Sequence, residues 1–164
     1  MKAWLRLTLV TMSVGGGFTG FVGNFLIPSS YYHNPRILLP LFVFAPLYAF
    51  ITISGLMFVL HPDRTRLLMV AISLQILWIS SPLFVYKCFS GFHAVLDFSK
   101  RPAGNLGFSV QANAAIGSDW RVGLFDGDPW LIGVNVFALV MLVLLWRSVR
   151  TASSPLRGQG PPSR

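Results

Sequence analysis

A thiol and two imidazoles, Cys88, His93 and His33, are the residues of this chain best equipped for chemistry. Imidazole and thiolate suit copper or zinc. A thiol beside an imidazole can also act as a nucleophile. Their spacing argues against both uses. His93 follows Cys88 by five residues and His33 comes from a distant segment, which matches no compact zinc pattern. Asp119, Asp126 and Asp128 form an acidic group that could hold Ca²⁺, but the Asp-Gly-Asp-Pro run lacks the EF-hand spacing. Turn formation and helix capping explain it better. The chain has no G-x-S-x-G, no H-E-x-x-H and no phosphate-cradling glycine loop. No metal and no cofactor are expected, and the balance leans away from an enzyme. The lone cysteine also rules out an intramolecular disulfide.

The elements that must position these residues are apolar. Of the 164 residues, 54% are hydrophobic and only 11% are charged, against about 25% charged in ordinary soluble domains. Four stretches, 7–27, 37–60, 67–86 and 130–146, contain no Lys, Arg, Asp or Glu. Each is long enough, at about 1.5 Å per residue, to cross a hydrocarbon core of about 30 Å or nearly so. The sequence therefore predicts an all-α integral membrane protein. Residues 1–150 form a four-helix transmembrane bundle, and 151–164 a disordered tail rich in Ser, Gly, Pro and Arg. Residues 87–128 form the outer segment. Within it, Phe108, Val110 and Ala112 alternate with Ser109, Gln111 and Asn113, and Trp120, Val122 and Leu124 alternate again. That period predicts a small β-hairpin over 106–125. Residues 87–101 read as an interfacial helix or an irregular lid.

Polar and small residues give each span a face. Gly16 and Gly20 form a small-xxx-small pair that Asn24 continues, which suits close helix packing. Gln75, Pro82 and Tyr86 share one face of a helical span three, with Trp78 beside it. A glutamine at depth needs a hydrogen-bonding partner, and Asn24 and Asn135 are candidates. These residues are expected to clasp helices together or to line a ligand face. Asn34–Pro35 predicts the cap and first position of span two, and Asp128–Pro129 those of span four.

Charge gives the spans a direction. Eight of the 13 Lys and Arg residues fall in the N-terminus, the link after span two and the C-terminus, accompanied only by Asp63. The other five share the opposite side with four Asp. The positive-inside rule then places both termini in the cytoplasm, and the basic flanks would attract anionic lipid of that leaflet. Lys2 and Arg6 before an apolar run resemble a signal peptide, but the run is long and ends in no A-x-A site. A bacterial plasma membrane is the expected location. The basic residues are scattered, so nucleic acid is not an expected partner. Spans without ionisable groups argue against a proton- or voltage-driven machine. The expected function is a non-catalytic subunit, assembly factor or interaction protein, with a membrane-protein partner or a second copy. The alternative is a carrier of a small neutral or apolar ligand such as a lipid or quinone.

Overall fold

The computed structural model describes residues 1–26, 35–100, 108–124 and 129–152. Four helices are found there: α1 (Ala3–Phe25), α2 (Pro35–Leu60), α3 (Arg66–Ser73) and α4 (Val136–Ala152). Six strands join them: β1 (Leu77–Ser80), β2 (Phe84–Phe89), β3 (Phe92–Lys100), β4 (Phe108–Ile116), β5 (Asp119–Leu124) and β6 (Leu131–Asn135). They form one antiparallel sheet in the order β4-β3-β6-β1-β2-β5. The expectation of an all-α four-helix bundle with a small hairpin is therefore wrong.

The error lies in spans three and four. An uncharged apolar run reads alike as a buried helix or as buried strands. In 67–86 the helix stops at Ser73, about 12 Å long. Beyond it the run is rich in β-branched and aromatic residues, and Ser81–Pro82 interrupts it with a turn. Pro82 disfavours a helical Ser81, and the Ser81 hydroxyl instead bridges the N–H and carbonyl of Phe84 at 3.0 and 2.9 Å. Span four likewise opens as strand β6 and turns helical only at Val136. Its cap is Asn135, whose Oδ1 accepts the Ala138 N–H at 3.3 Å, and not Asp128. Helix α2 does begin at Pro35. Among the described residues, only α1 and the Phe42–Leu60 part of α2 are long and apolar enough, by length and composition, to cross a membrane. Residues 27–34, which include His33, residues 101–107, Asp126, Asp128 and residues 153–164 lie outside the described residues.

The predicted hairpin also has the wrong partner strands. β4 and β5 do not pair with each other. β2 and β3 form one long arm, β4 and β5 the other, and the two arms pair as a single ribbon. One register runs through it: Phe84↔Leu124, Phe89↔Asp119, Phe92↔Ile116 and Lys100↔Phe108. The Gly117 N–H meets the Gly91 carbonyl at 2.8 Å midway, where the ribbon bends. Beyond the bend, β3 turns to pair with β6 while β2 pairs with β1. Because β1 and β6 also pair, the sheet curls around its own interior.

The bend sits on α1. Thr11–Gly16 is a π-helical turn, a local irregularity that often marks a working position. Its carbonyls receive the ribbon: Ser90 Oγ donates to Met12 O at 2.9 Å and Ser118 Oγ to Gly16 O at 2.5 Å. A Cβ on Gly16 would stand 2.2 Å from the Gly91 nitrogen, and Gly91 itself has φ +75°. Both glycines are therefore required by this seat.

Two cores result. Leu5, Leu9, Phe58, Leu68, Met141 and Leu145 join all four helices. Phe44, Tyr48 and Ile51 of α2 pack against Cys88, Tyr86, Trp120 and Val122 of the ribbon.

Candidate functional site

Alternation along the ribbon separates two faces. Even-numbered residues of β2 and β5, including Tyr86, Cys88 and Trp120, meet α2. Odd-numbered residues line the interior of the curled sheet. Trp78, Lys87, Phe89, His93, Val95, Asp97, Gln111, Asn113 and Asp119 bound a cavity of ≈ 330 Å³ there.

Its walls are built in steps. Lys87 pairs with Asp119, and its ammonium lies 4.6 Å from the Trp78 ring centroid and 5.5 Å from that of Phe89. Such contacts hold a cation against an aromatic face without removing its charge. Gly133 lets Trp78 lie across β6, since a Cβ there would stand 2.9 Å from Trp78 Cε3. The His93 ring stacks on Phe89 with centroids 4.8 Å apart. His93 is buried, and its Nδ1 has no hydrogen-bond partner among the described residues. Burial lowers the His93 pKa most, with Lys87 adding to it, while Asp119 and the Gly91 carbonyl act in the opposite sense. The ring is held towards its neutral form. Asp97 is buried, at 6% exposure, with no side-chain partner among the described residues. It stands four residues from His93 on the same strand face, about 13 Å away at about 3.3 Å per residue. The cavity thus offers one matched ion pair, one unmatched carboxylate, one imidazole acceptor and aromatic walls.

The residues singled out from sequence are distributed differently. Gly16 meets the ribbon bend and Gly20 meets the Tyr48 ring, so both serve packing within the chain. Gln75, Asn24 and Asn135 do not clasp one another. Gln75 donates to Ala71 O at 3.1 Å and accepts the Ser90 N–H at 3.0 Å. Asn24 donates to Gly20 O at 2.7 Å, and Asn135 caps α4 while also accepting the Ala94 N–H. Trp78 and Tyr86 fall on opposite faces because their segment is strand. Tyr86 stacks on Phe44 and donates to Leu74 O at 2.8 Å, whereas Trp78 lines the cavity.

Cys88 and His93 are also separated by the sheet. Cys88 lies on the helix-facing side, fully buried. Burial pushes its thiol up to about 12, with the Tyr48 and Tyr86 hydroxyls pulling the other way. A thiol held so high supplies little thiolate at neutral pH. His33 lies outside the described residues. Among the described residues no three His, Cys, Asp or Glu gather closely enough to hold a metal.

Lys87, Asp97, Gln111 and Asn113 were missed as site residues, and Asp119, read as part of an acidic group with Asp126 and Asp128, pairs instead with Lys87. The signal was present as period-two polarity at Lys87, His93 and Asp97, hidden because 87–101 reads equally as an interfacial helix. The chain matches no family model, no curated protein and no solved structure.

Proposed function

We propose that this chain is a non-catalytic, multi-pass membrane protein whose sheet binds a small, cation-bearing polar ligand. The observation that carries this reading is Asp97, a buried carboxylate on a cavity wall with no counter-charge among the described residues. The Asp97 carboxylate opens on the cavity, where a bound cation would pair with it, and Lys87 is already matched by Asp119. An ammonium or amidinium group would supply the missing charge, and an N–H or O–H elsewhere on the ligand would satisfy His93 Nδ1. The inaccessible Cys88 thiol, remote from the His93 ring, supports binding over nucleophilic chemistry.

The membrane part rests on α1 and α2, with the two shorter helices packed against them. The Arg6 guanidinium donates to Val59 O at 3.1 Å, which sets the start of α1 beside the end of α2. The basic residues near that end favour a cytoplasmic side with both termini on it, in contact with anionic lipid.

A second reading, a subunit of a larger membrane complex, is favoured by the edge of the sheet. β4 pairs on one side only, and Phe108–Ile116 contains no charge and no proline. Natural edge strands usually carry such blocking features.

Native mass spectrometry of the protein extracted in nanodiscs tests both readings. Ligand binding predicts a small co-purifying mass that Asp97→Asn removes and Cys88→Ala retains. A bare monomer that takes up no organic cation contradicts it. A stable protein complex unaffected by Asp97→Asn favours the second reading.

A further inference from the structure

From Phe84 to Phe98 the ribbon keeps one apolar face, but a helix covers only half of it. In β2 and β5 the even-numbered Tyr86, Cys88, Trp120 and Val122 pack beneath Phe44 and Tyr48 of α2. Past the bend, the even-numbered residues of β3 are Phe92, Ala94, Leu96 and Phe98, with Lys100 ending the strand. Opposite them on β4 stand Ile116, Ala114, Ala112 and Val110, and on β6 Val134 and Ile132. Between Phe92 and Phe98 this face carries no charged and no hydrogen-bonding side chain. It is also open: Leu96 is 40% exposed, Phe98 48%, Val110 61% and Ile132 52%. On the same strand β3, the odd-numbered His93, Val95 and Asp97 are 6%, 4% and 6% exposed. On β3 the polar groups are inside and the apolar groups outside, the reverse of a sheet that stands in water and the pattern of strands that meet lipid.

We propose that the outer face of β3, β4 and β6 lies against membrane hydrocarbon, at the headgroup–acyl boundary. The proposal rests on the membrane reading above. Continuity identifies lipid as the cover. An apolar trough of ≈ 340 Å³ runs over Ala94, Leu96, Ala112 and Ala114 and reaches Val136, the first residue of α4. Leu139, Val140 and Val143 of α4 continue the exposed apolar surface from there. The Phe92 ring meets Phe137 edge-on at 4.6 Å and seals the junction between sheet and helix. One uncharged surface therefore passes from helix to sheet without a step. Boundary depth also suits the open edge of β4, whose backbone groups need water or a partner strand. The sheet would hold its polar cavity beside the bilayer, rather than out in the aqueous phase.

Spin labels on the full-length protein in phosphatidylcholine–phosphatidylglycerol vesicles test this. Native Cys88 is buried and can stay in place. Labels at Val110→Cys, Ala112→Cys and Ala114→Cys are compared with labels at Gln111→Cys and Asn113→Cys. Leu56→Cys on the exposed side of α2 reports insertion of that helix. Lipid contact predicts a period-two pattern: oxygen relaxes the even-numbered labels more, and a water-soluble nickel chelate the odd-numbered ones. Position 56 should behave like position 112. Even-numbered labels reached by nickel as readily as position 111 overturn the proposal. Even-numbered labels shielded from both reagents overturn it too, in favour of a protein cover. If position 56 is itself open to nickel, the membrane reading has failed and not the placement of the sheet alone.

Discussion

The two halves of the ribbon, β2–β5 and β3–β4, share a register and an alternation, yet they meet different surroundings. In the β2–β5 half, the apolar face is closed by α2. Phe44 and Tyr48 are fully buried, and the Tyr48 hydroxyl donates to Phe89 O at 2.8 Å. In the β3–β4 half the same face is open, and the opposite face holds the buried His93 and Asp97. The division between them is the bend at Gly91 and Gly117, seated on the π-helical turn of α1. One sequence pattern thus serves first as a core and then as the wall of a cavity. What differs is the covering element and not the strand.

Substitutions that respect this division should have unequal effects. The largest is expected at Phe44, where truncation to Ala should cost about 4 kcal/mol of stability, the usual range for a buried aromatic. Phe98→Ala, on the open half, should change unfolding in detergent by less than about 0.5 kcal/mol. Equal losses at both positions would erase the distinction between the halves. Gly16→Val should cost about 3 kcal/mol by overpacking, because its Cβ meets the Gly91 backbone. Gly15→Val is the control, since nothing lies within 4 Å of a Cβ at Gly15. Chemical denaturation of the two variants in the same detergent measures the difference.

Ser118→Ala should cost about 1 kcal/mol, the ordinary worth of one hydrogen bond. It should also speed amide exchange at Gly91 and Gly117 more than at Val85, since it loosens the bend.

The smallest effect concerns pH. The folded protein holds the His93 pKa below its ordinary value of 6.5. Between those two values the unfolded chain binds the proton more readily. Stability should therefore fall as pH drops below about 6.5 and be fully present above it. Thermal unfolding of the wild type and His93→Gln across that window checks the sign: the variant should lose this part of the pH dependence.

Much of the helical half was legible. Ala3–Phe25 and Phe42–Leu60 are the two apolar runs whose length requires no partner strand, and Pro35 marks a helix start that the structure keeps. The strand character of Phe108–Asn113 was also readable from alternation. Pairing was not, because alternation assigns a face and says nothing of the partner. Residues 114–119 look like a hairpin loop. They hold instead the end of β4, the bend at Gly117–Ser118 and the start of β5. Leu77–Tyr86 was hidden differently: apolar residues such as Leu77, Leu83 and Phe84 stay exposed, so its strands lack the polar alternation that betrays a half-exposed sheet. The cavity followed from these two misreadings, since Trp78, Lys87 and Asp97 converge only when three separate strands are paired.

The continuous register of the bent ribbon is the claim on which both the cavity and its outer face depend. Cysteine cross-linking in vesicles tests it directly. Ala94→Cys with Ala114→Cys places thiols on directly opposed residues, and mild oxidation should join them within one chain in high yield. Both pairs are made with Cys88 replaced by Ala, because Cys88 stands opposite Trp120 in the ribbon; Asn113→Cys with Trp120→Cys then places thiols where a local hairpin around 114–119 would oppose them, and these should remain unlinked. Efficient joining of the second pair, with none of the first, would contradict the ribbon and the cavity with it.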